Sequence, residues 1–218
     1  MPGQFFQIRV DEGVDPFLNR PISVASYKAP RLHLIIKVVG RGTRMLGEKS
    51  EGEDVTLLGP FGKRFNPQKK KSLLVAGGIG IAPLHFLAEH LYAAKIPLGL
   101  IYGVRKTKDF VLRKEMARMC GRSLLVAEQG LKKKETAVSA IKRVGIDDYE
   151  VVYACGPRQM LIEMQRLKLP VPVYAFCEDF LGCGCGLCLG CAIMYKNQYK
   201  RICVDGPIFE LREIDFEV

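Results

Sequence analysis

A chain of 218 residues with 48% hydrophobic composition can bury a core of its own, and its length suits one large domain or two small ones. No apolar run reaches the roughly 20 residues of a membrane span, and no charged-then-apolar leader opens the chain, so the expected compartment is the cytoplasm. The net charge of +10 sits in short runs such as Lys69–Lys71 and Lys132–Lys134 without interleaved aromatics, which reads as solvated surface rather than a nucleic-acid site. The histidines, His33, His85 and His90, do not cluster, which argues against a histidine-metal centre or a serine hydrolase.

Residues 1–66 read as β structure. FFQIRV, LHLIIKVV and DVTLLG are short runs rich in branched residues, separated by Gly, Pro and Asp, with no helical period between them. The expectation is part of a small barrel. Within it, the rigid Arg20-Pro21-Ile22-Ser23 segment can hold a guanidinium beside a phosphate, and Gly42-Thr43 can offer N–H groups and a hydroxyl to an anionic oxygen. A surface arginine in a turn and a glycine loop between strands explain the same residues. The polar stretch Asn66 to Lys71 marks a boundary, giving segments 1–66, 67–176 and 177–218.

From Ser72 the chain alternates. SLLVA, LGLIYG, SLLVAE, EVVYAC and VPVYAF read as strands, and helices are expected over Pro83 to Ala94, Phe110 to Met119, Glu135 to Val144 and Arg158 to Leu167. Repeated βα units of this kind make a doubly wound parallel sheet with helices on both faces. In the first helix Leu84, Leu87, Ala88 and Leu91 form the stripe that packs on the sheet. The first strand runs into Gly77-Gly78-Ile79-Gly80, a glycine turn opening a helix N-terminus, which suits a nucleotide pyrophosphate or close packing alone. Cys155-Gly156-Pro157 ends another strand, where the thiol faces a bound ring or fills a buried corner.

CEDFLGCGCGLCLGC holds five of the eight cysteines, and Cys203 follows in YKRICVDGP. Cys183-x4-Cys188-x2-Cys191 with a distant Cys203 is the spacing of a plant-type 2Fe–2S site, in which four thiolates hold two irons. Gly182, Gly184, Gly186 and Gly190 let the loop wrap tightly and aim N–H groups at sulfur. Zinc and disulfides are the competing readings, though zinc favours two short Cys pairs and disulfides favour small secreted domains. Cys177 and Cys185 fall outside the ligand pattern. Phe209 to Val218 reads as an acidic, partly apolar tail over the cluster segment.

Taken in order, RPIS, GRGT, GPFG, VAGGIGIAPL, YGVR, ACGPRQML, CGCGLCLGC and CVDGPIF resemble the ferredoxin reductase superfamily, and within it the iron–sulfur electron-transfer subunits of NAD-linked dihydroorotate dehydrogenase. The resemblance implies FAD in a β-barrel domain, with Arg20, Pro21, Ile22 and Ser23 as the first flavin motif, Ile35, Ile36 and Lys37 as the strand motif, and Gly42 and Thr43 at the phosphates. It places Gly77, Gly78, Gly80, Cys155, Gly156 and Pro157 at the nicotinamide nucleotide and makes Cys183, Cys188, Cys191 and Cys203 the cluster ligands. Members of the family usually carry opening strands before the PGQF strand, so the barrel expected here is truncated. The implied partner is an FMN-containing catalytic subunit, in a heterotetramer of two copies of each chain, working in pyrimidine biosynthesis. A ferredoxin–NADP or sulfide-linked partner would leave the same cofactors in place. Two-electron hydride chemistry at NAD and one-electron chemistry at iron require a flavin between them.

Overall fold

The computed structural model describes residues 1–11, 13, 15–131 and 133–216. Lys132 of the expected lysine run and the last two residues of the tail, Glu217 and Val218, lie outside them. The scaffold is a six-stranded sheet. Its strands β5 (Ser72–Gly77), β6 (Leu98–Lys106), β7 (Arg122–Gln129), β8 (Val151–Cys155) and β9 (Val173–Phe176) run parallel in the spatial order β9-β8-β5-β6-β7. β5 and β8 are buried along their whole length because helices cover both faces, which is why they read as unbroken apolar runs.

The covering helices are α2 (Ile81–Ala93), α3 (Arg113–Met119), α4 (Ala137–Ile141) and α5 (Arg158–Arg166). Leu84, Leu87, Ala88 and Leu91 of α2 are buried against β5, β6 and β8, as the sequence stripe predicts. α3 starts three residues later than expected, after a 3-10 turn at Thr107–Asp109, and α4 is shorter than the run Glu135 to Val144. The sheet gains an antiparallel strand: β12 (Ile208–Glu210), from the expected tail, pairs with β9 along Ile208↔Phe176, Phe209↔Ala175 and Glu210↔Tyr174.

The expected truncated barrel is an open four-stranded antiparallel sheet in the order β3-β2-β1-β4, built from β1 (Phe5–Ile8), β2 (Arg20–Lys28), β3 (Arg31–Leu34) and β4 (Leu57–Phe61). Two elements here correct the sequence reading. The Arg20-Pro21 segment, which the sequence did not mark as a strand, opens a nine-residue one, and its proline is tolerated because Pro21 lies at the strand's start. Gly42-Thr43 belongs to a short helix, α1 (Arg41–Gly47), rather than a loop. α2 packs on β2, where the His85 Nδ1–H donates to the Ala25 carbonyl (2.8 Å) and the Ser26 hydroxyl to Glu89 Oε2 (2.6 Å).

A third sheet, β11-β10-β13, is formed by β10 (Ala192–Tyr195), β11 (Gln198–Arg201) and β13 (Ile214–Asp215). Lys196 and Asn197, both at positive φ (52° and 57°), make the two-residue turn of the β10–β11 hairpin. Among the described residues no helix is long and apolar enough to cross a membrane.

Candidate functional site

Strand order reverses between β5 and β8: from β5 the chain builds outward to β6 and β7, then crosses back to β8 and β9. Open α/β sheets bind ligands outside the carboxyl ends of the strands at such a point. The two glycine turns meet here. A Cβ on Gly80 would lie 2.3 Å from the Cys155 carbonyl oxygen, so packing demands glycine there, whereas one on Gly156 would displace the flexible end of Met160 (Cε at 2.5 Å). Gly78 differs, with φ +54° and open space where a side chain would be. It borders a cavity of about 510 Å³ lined also by Gly77, Arg105, Glu128, Pro157 and Met160, with Lys37 at its edge.

A second cavity, of about 260 Å³, lies between the N-terminal sheet, the turn into α2 and the segment that leaves β9. β2 contributes Arg20, Pro21, Ile22 and Ser23, the extended chain after β3 contributes Ile35 and Lys37, and α1 contributes Thr43. The turn into α2 adds Ile79, Ala82 and Pro83, and the approach to the thiol loop adds Cys177, Glu178 and Asp179. Ile36 does not line it. Side chains alternate on an extended chain, so Ile36 packs beneath with Ile8, Val10 and Leu46 while its neighbours face the cavity. Arg20 is brought to Gly42, where a Cβ would meet the guanidinium at 2.5 Å. The Thr43 hydroxyl is engaged at its own helix start, accepting from Val39 N (2.9 Å) and Gly40 N (3.1 Å).

Cys155 lines neither cavity. It is fully buried at the end of β8, its thiol donating to Glu178 Oε1 at 3.8 Å, and burial together with the nearby carboxylate pushes its pKa far up. Glu178 is the residue sequence reasoning missed. Glu178 is exposed as a residue, but its carboxyl borders the smaller cavity beside the Cys155 thiol, and the partial loss of water there raises it above the usual carboxylate range.

The thiols stand in two pairs. Cys191 directly precedes β10 and Cys203 follows β11, so the hairpin closes the sequence gap between them: Ile202 N–H donates to Cys191 O (3.0 Å), and the two sulfurs lie 3.2 Å apart, both buried. Asp205 tightens the turn after Cys203 by accepting from Arg201 N (2.8 Å). On the outer side, Cys188 N–H donates to Cys183 Sγ (3.4 Å), and further N–H groups of Cys185 and Leu187 point at the same sulfur. These donors pull the Cys183 thiol down to about 6, whereas burial and the Cys191 thiol push Cys203 up to about 12. Gly186 N–H reaches Cys203. All eight cysteines are free thiols, and among the described residues no three Cys, His, Asp or Glu side chains converge as for one metal ion. Cys185 is exposed, and Cys177 is buried back towards β9.

A nucleotide-binding parallel sheet, an antiparallel sheet sharing a cavity with it, and a thiol loop at the same end define a chain of the ferredoxin-reductase class with an added cluster segment. Residues 178–215 match the family described as the iron–sulfur cluster binding domain of dihydroorotate dehydrogenase B, and residues 74–166 match the oxidoreductase NAD-binding domain. The dihydroorotate dehydrogenase B (NAD(+)) electron transfer subunit of Bacillus pumilus is 32% identical over 97% of this chain and 85% of that protein. Its counterpart in Caldanaerobacter subterraneus is 33% identical over 99% and 87%. Among solved structures, an NADH-dependent reduced ferredoxin–NADP oxidoreductase superposes with a TM-score of 0.89 at 27% identity, covering 99% of this chain and 80% of that one. The ferredoxin reductase of carbazole 1,9a-dioxygenase gives 0.67 at 25%, covering 80% and 59%. The chain belongs to the family of dihydroorotate dehydrogenase B electron transfer subunits.

Proposed function

We propose that this chain passes electrons between a dihydroorotate-oxidising flavoprotein and NAD, with FAD in the smaller cavity, the nicotinamide nucleotide in the larger, and a 2Fe–2S cluster on Cys183, Cys188, Cys191 and Cys203. The observation that carries the reading is the smaller cavity itself, bordered on one side by the glycine turn and on the other by the approach to the thiol loop. When bound, the flavin supplies the exchange between paired and single electrons that neither NAD nor iron can make alone.

Two thiol pairs suit two tetrahedral irons better than one zinc, which needs four donors converging on a point. The loop N–H groups at Cys183 and Cys203 suit anionic sulfur. Arg20 offers a fixed guanidinium to a phosphate. Gly78 leaves backbone open to the nucleotide, and Lys37 borders both cavities, where its cation attracts anionic ligands. Glu178 borders the flavin cavity and accepts from the buried Cys155 thiol behind it, tying the approach to the thiol loop to the end of β8. The segments 1–66, 67–176 and 177–218 then correspond to flavin, nucleotide and cluster modules.

The partner is the FMN-containing catalytic subunit, two copies of each chain making a cytoplasmic heterotetramer. It docks on the thiol loop, where Phe180 (92% exposed), Leu187 (83%) and Leu189 (62%) stand clear of the protein. The test is iron, zinc and flavin content with the visible spectrum of anaerobically purified protein. About two irons and one FAD per chain are expected; zinc without iron or flavin would overturn the reading. Dihydroorotate-dependent NAD reduction on adding the catalytic subunit identifies the partner.

A further inference from the structure

Gln7 belongs to β1 of the N-terminal sheet, yet its side chain reaches the thiol loop. It is 1% exposed, its Nε2 lies 3.5 Å from the carbonyl oxygen of Gly182, and a Cβ on Gly184 would meet its Cγ and Nε2 at 2.8 Å. The carboxamide is therefore wedged against the residues on either side of Cys183. A carbonyl needs a donor, so the Gly182 contact fixes the nitrogen on that side. Oε1 is left buried without a hydrogen-bond partner. Space-filling alone does not account for this choice, since leucine would occupy a similar volume with no unmet bond.

We propose that Gln7 is a positioning residue for the iron–sulfur cluster, holding the Gly182–Gly184 turn and, through it, the direction of the Cys183 sulfur and of the N–H groups around it. The clamp rises from a strand paired on both sides: Gln7 sits opposite Pro21 of β2 on one side and Leu58 of β4 on the other. β2 also lines the smaller cavity, so one strand pair sets the spacing between flavin and cluster. Contacts beyond the ligands orient them, and hydrogen bonding around sulfur sets the potential.

The inference rests on the cluster reading above, and its test separates the two. In anaerobically purified full-length protein, Gln7→Leu keeps two irons but releases them to a chelator about tenfold faster and alters the EPR spectrum of the reduced cluster. Gln7→Glu, isosteric but anionic, makes the midpoint more negative by about tenfold in the one-electron equilibrium, or 59 mV. Gly184→Ala presses on the same carboxamide from the loop side while leaving the sequence of β1 intact. Made in wild type and in a Gln7→Ala background, where the carboxamide is gone, it should change the EPR spectrum more in the first than in the second. That difference separates the clamp from the strain of φ +73° and keeps the test alive if Gln7→Leu folds poorly. Variants that melt earlier with unchanged EPR spectrum, potential and iron release overturn the proposal. A wild-type chain without iron overturns the cluster reading, and this inference with it.

Discussion

The six-stranded sheet and the thiol loop use glycine for opposite reasons. At the end of the sheet, Gly80 is dictated by another part of the chain, because β5 and β8 end so close together that a methyl group would strike the Cys155 backbone. In the loop, Gly184 and Gly186 take φ of +73° and +88°, which lets the neighbouring N–H groups turn towards the sulfurs that would hold the cluster. One region is specified by the polypeptide itself, the other by a group the polypeptide does not make. Damage to the first should be read in folding, and damage to the second in iron.

The sharpest break of that contrast is at the ligands. Cys191→Ser or Cys203→Ser should reduce iron from about two per chain to nearly none, as a lost ligand demands, while Cys177→Ser and Cys185→Ser retain it; metal analysis decides. Next is Gly80→Val, which forces a side chain into the Cys155 carbonyl and should cost about 3 kcal/mol or more in denaturant unfolding. Gly78→Ala meets nothing but carries φ +54°, so it should cost about 1 kcal/mol and act mainly on the NADH dissociation constant.

A smaller effect is expected on the surface. Phe180→Ser with Leu187→Ser should weaken association with the catalytic subunit about tenfold at unchanged iron content, measurable by calorimetry. The smallest concerns Glu178. Because burial raises its carboxyl, the fold prefers the protonated form: that contribution is complete below the unfolded value of about 4.3 and is lost as pH rises through the higher folded value. Glu178→Gln should therefore melt slightly above wild type at pH 8 and match it at pH 4, the difference kept small by the exposure of the residue.

What could be read in advance follows the same division. β5, β6 and β8 are apolar enough to announce themselves, and the α2 stripe carries its own period. β2 was hidden because Arg20-Pro21 has the chemistry of a turn, and α1 because its seven residues, with glycine at both ends of the run Gly40 to Gly47, are too short to show a helical period. The cysteine spacing singled out four thiols but not the pairs in which they stand, since the closeness of Cys191 and Cys203 depends on the β10–β11 hairpin. Gln7 and Glu178 gave no signal at all. Each matters only through residues far away in sequence, Gly182 for one and Cys155 for the other.

The chain leaves the parallel sheet at Phe176 and returns to it at Ile208, and those two residues are partners in the β9–β12 ladder. Everything between them is an excursion with its two ends stitched together, so the entropy of closing it is met by the sheet and not by iron. A preparation stripped of its metal would keep its nucleotide-binding half folded and its circular dichroism nearly intact. Colour, rather than shape, is the measure of whether this protein is whole.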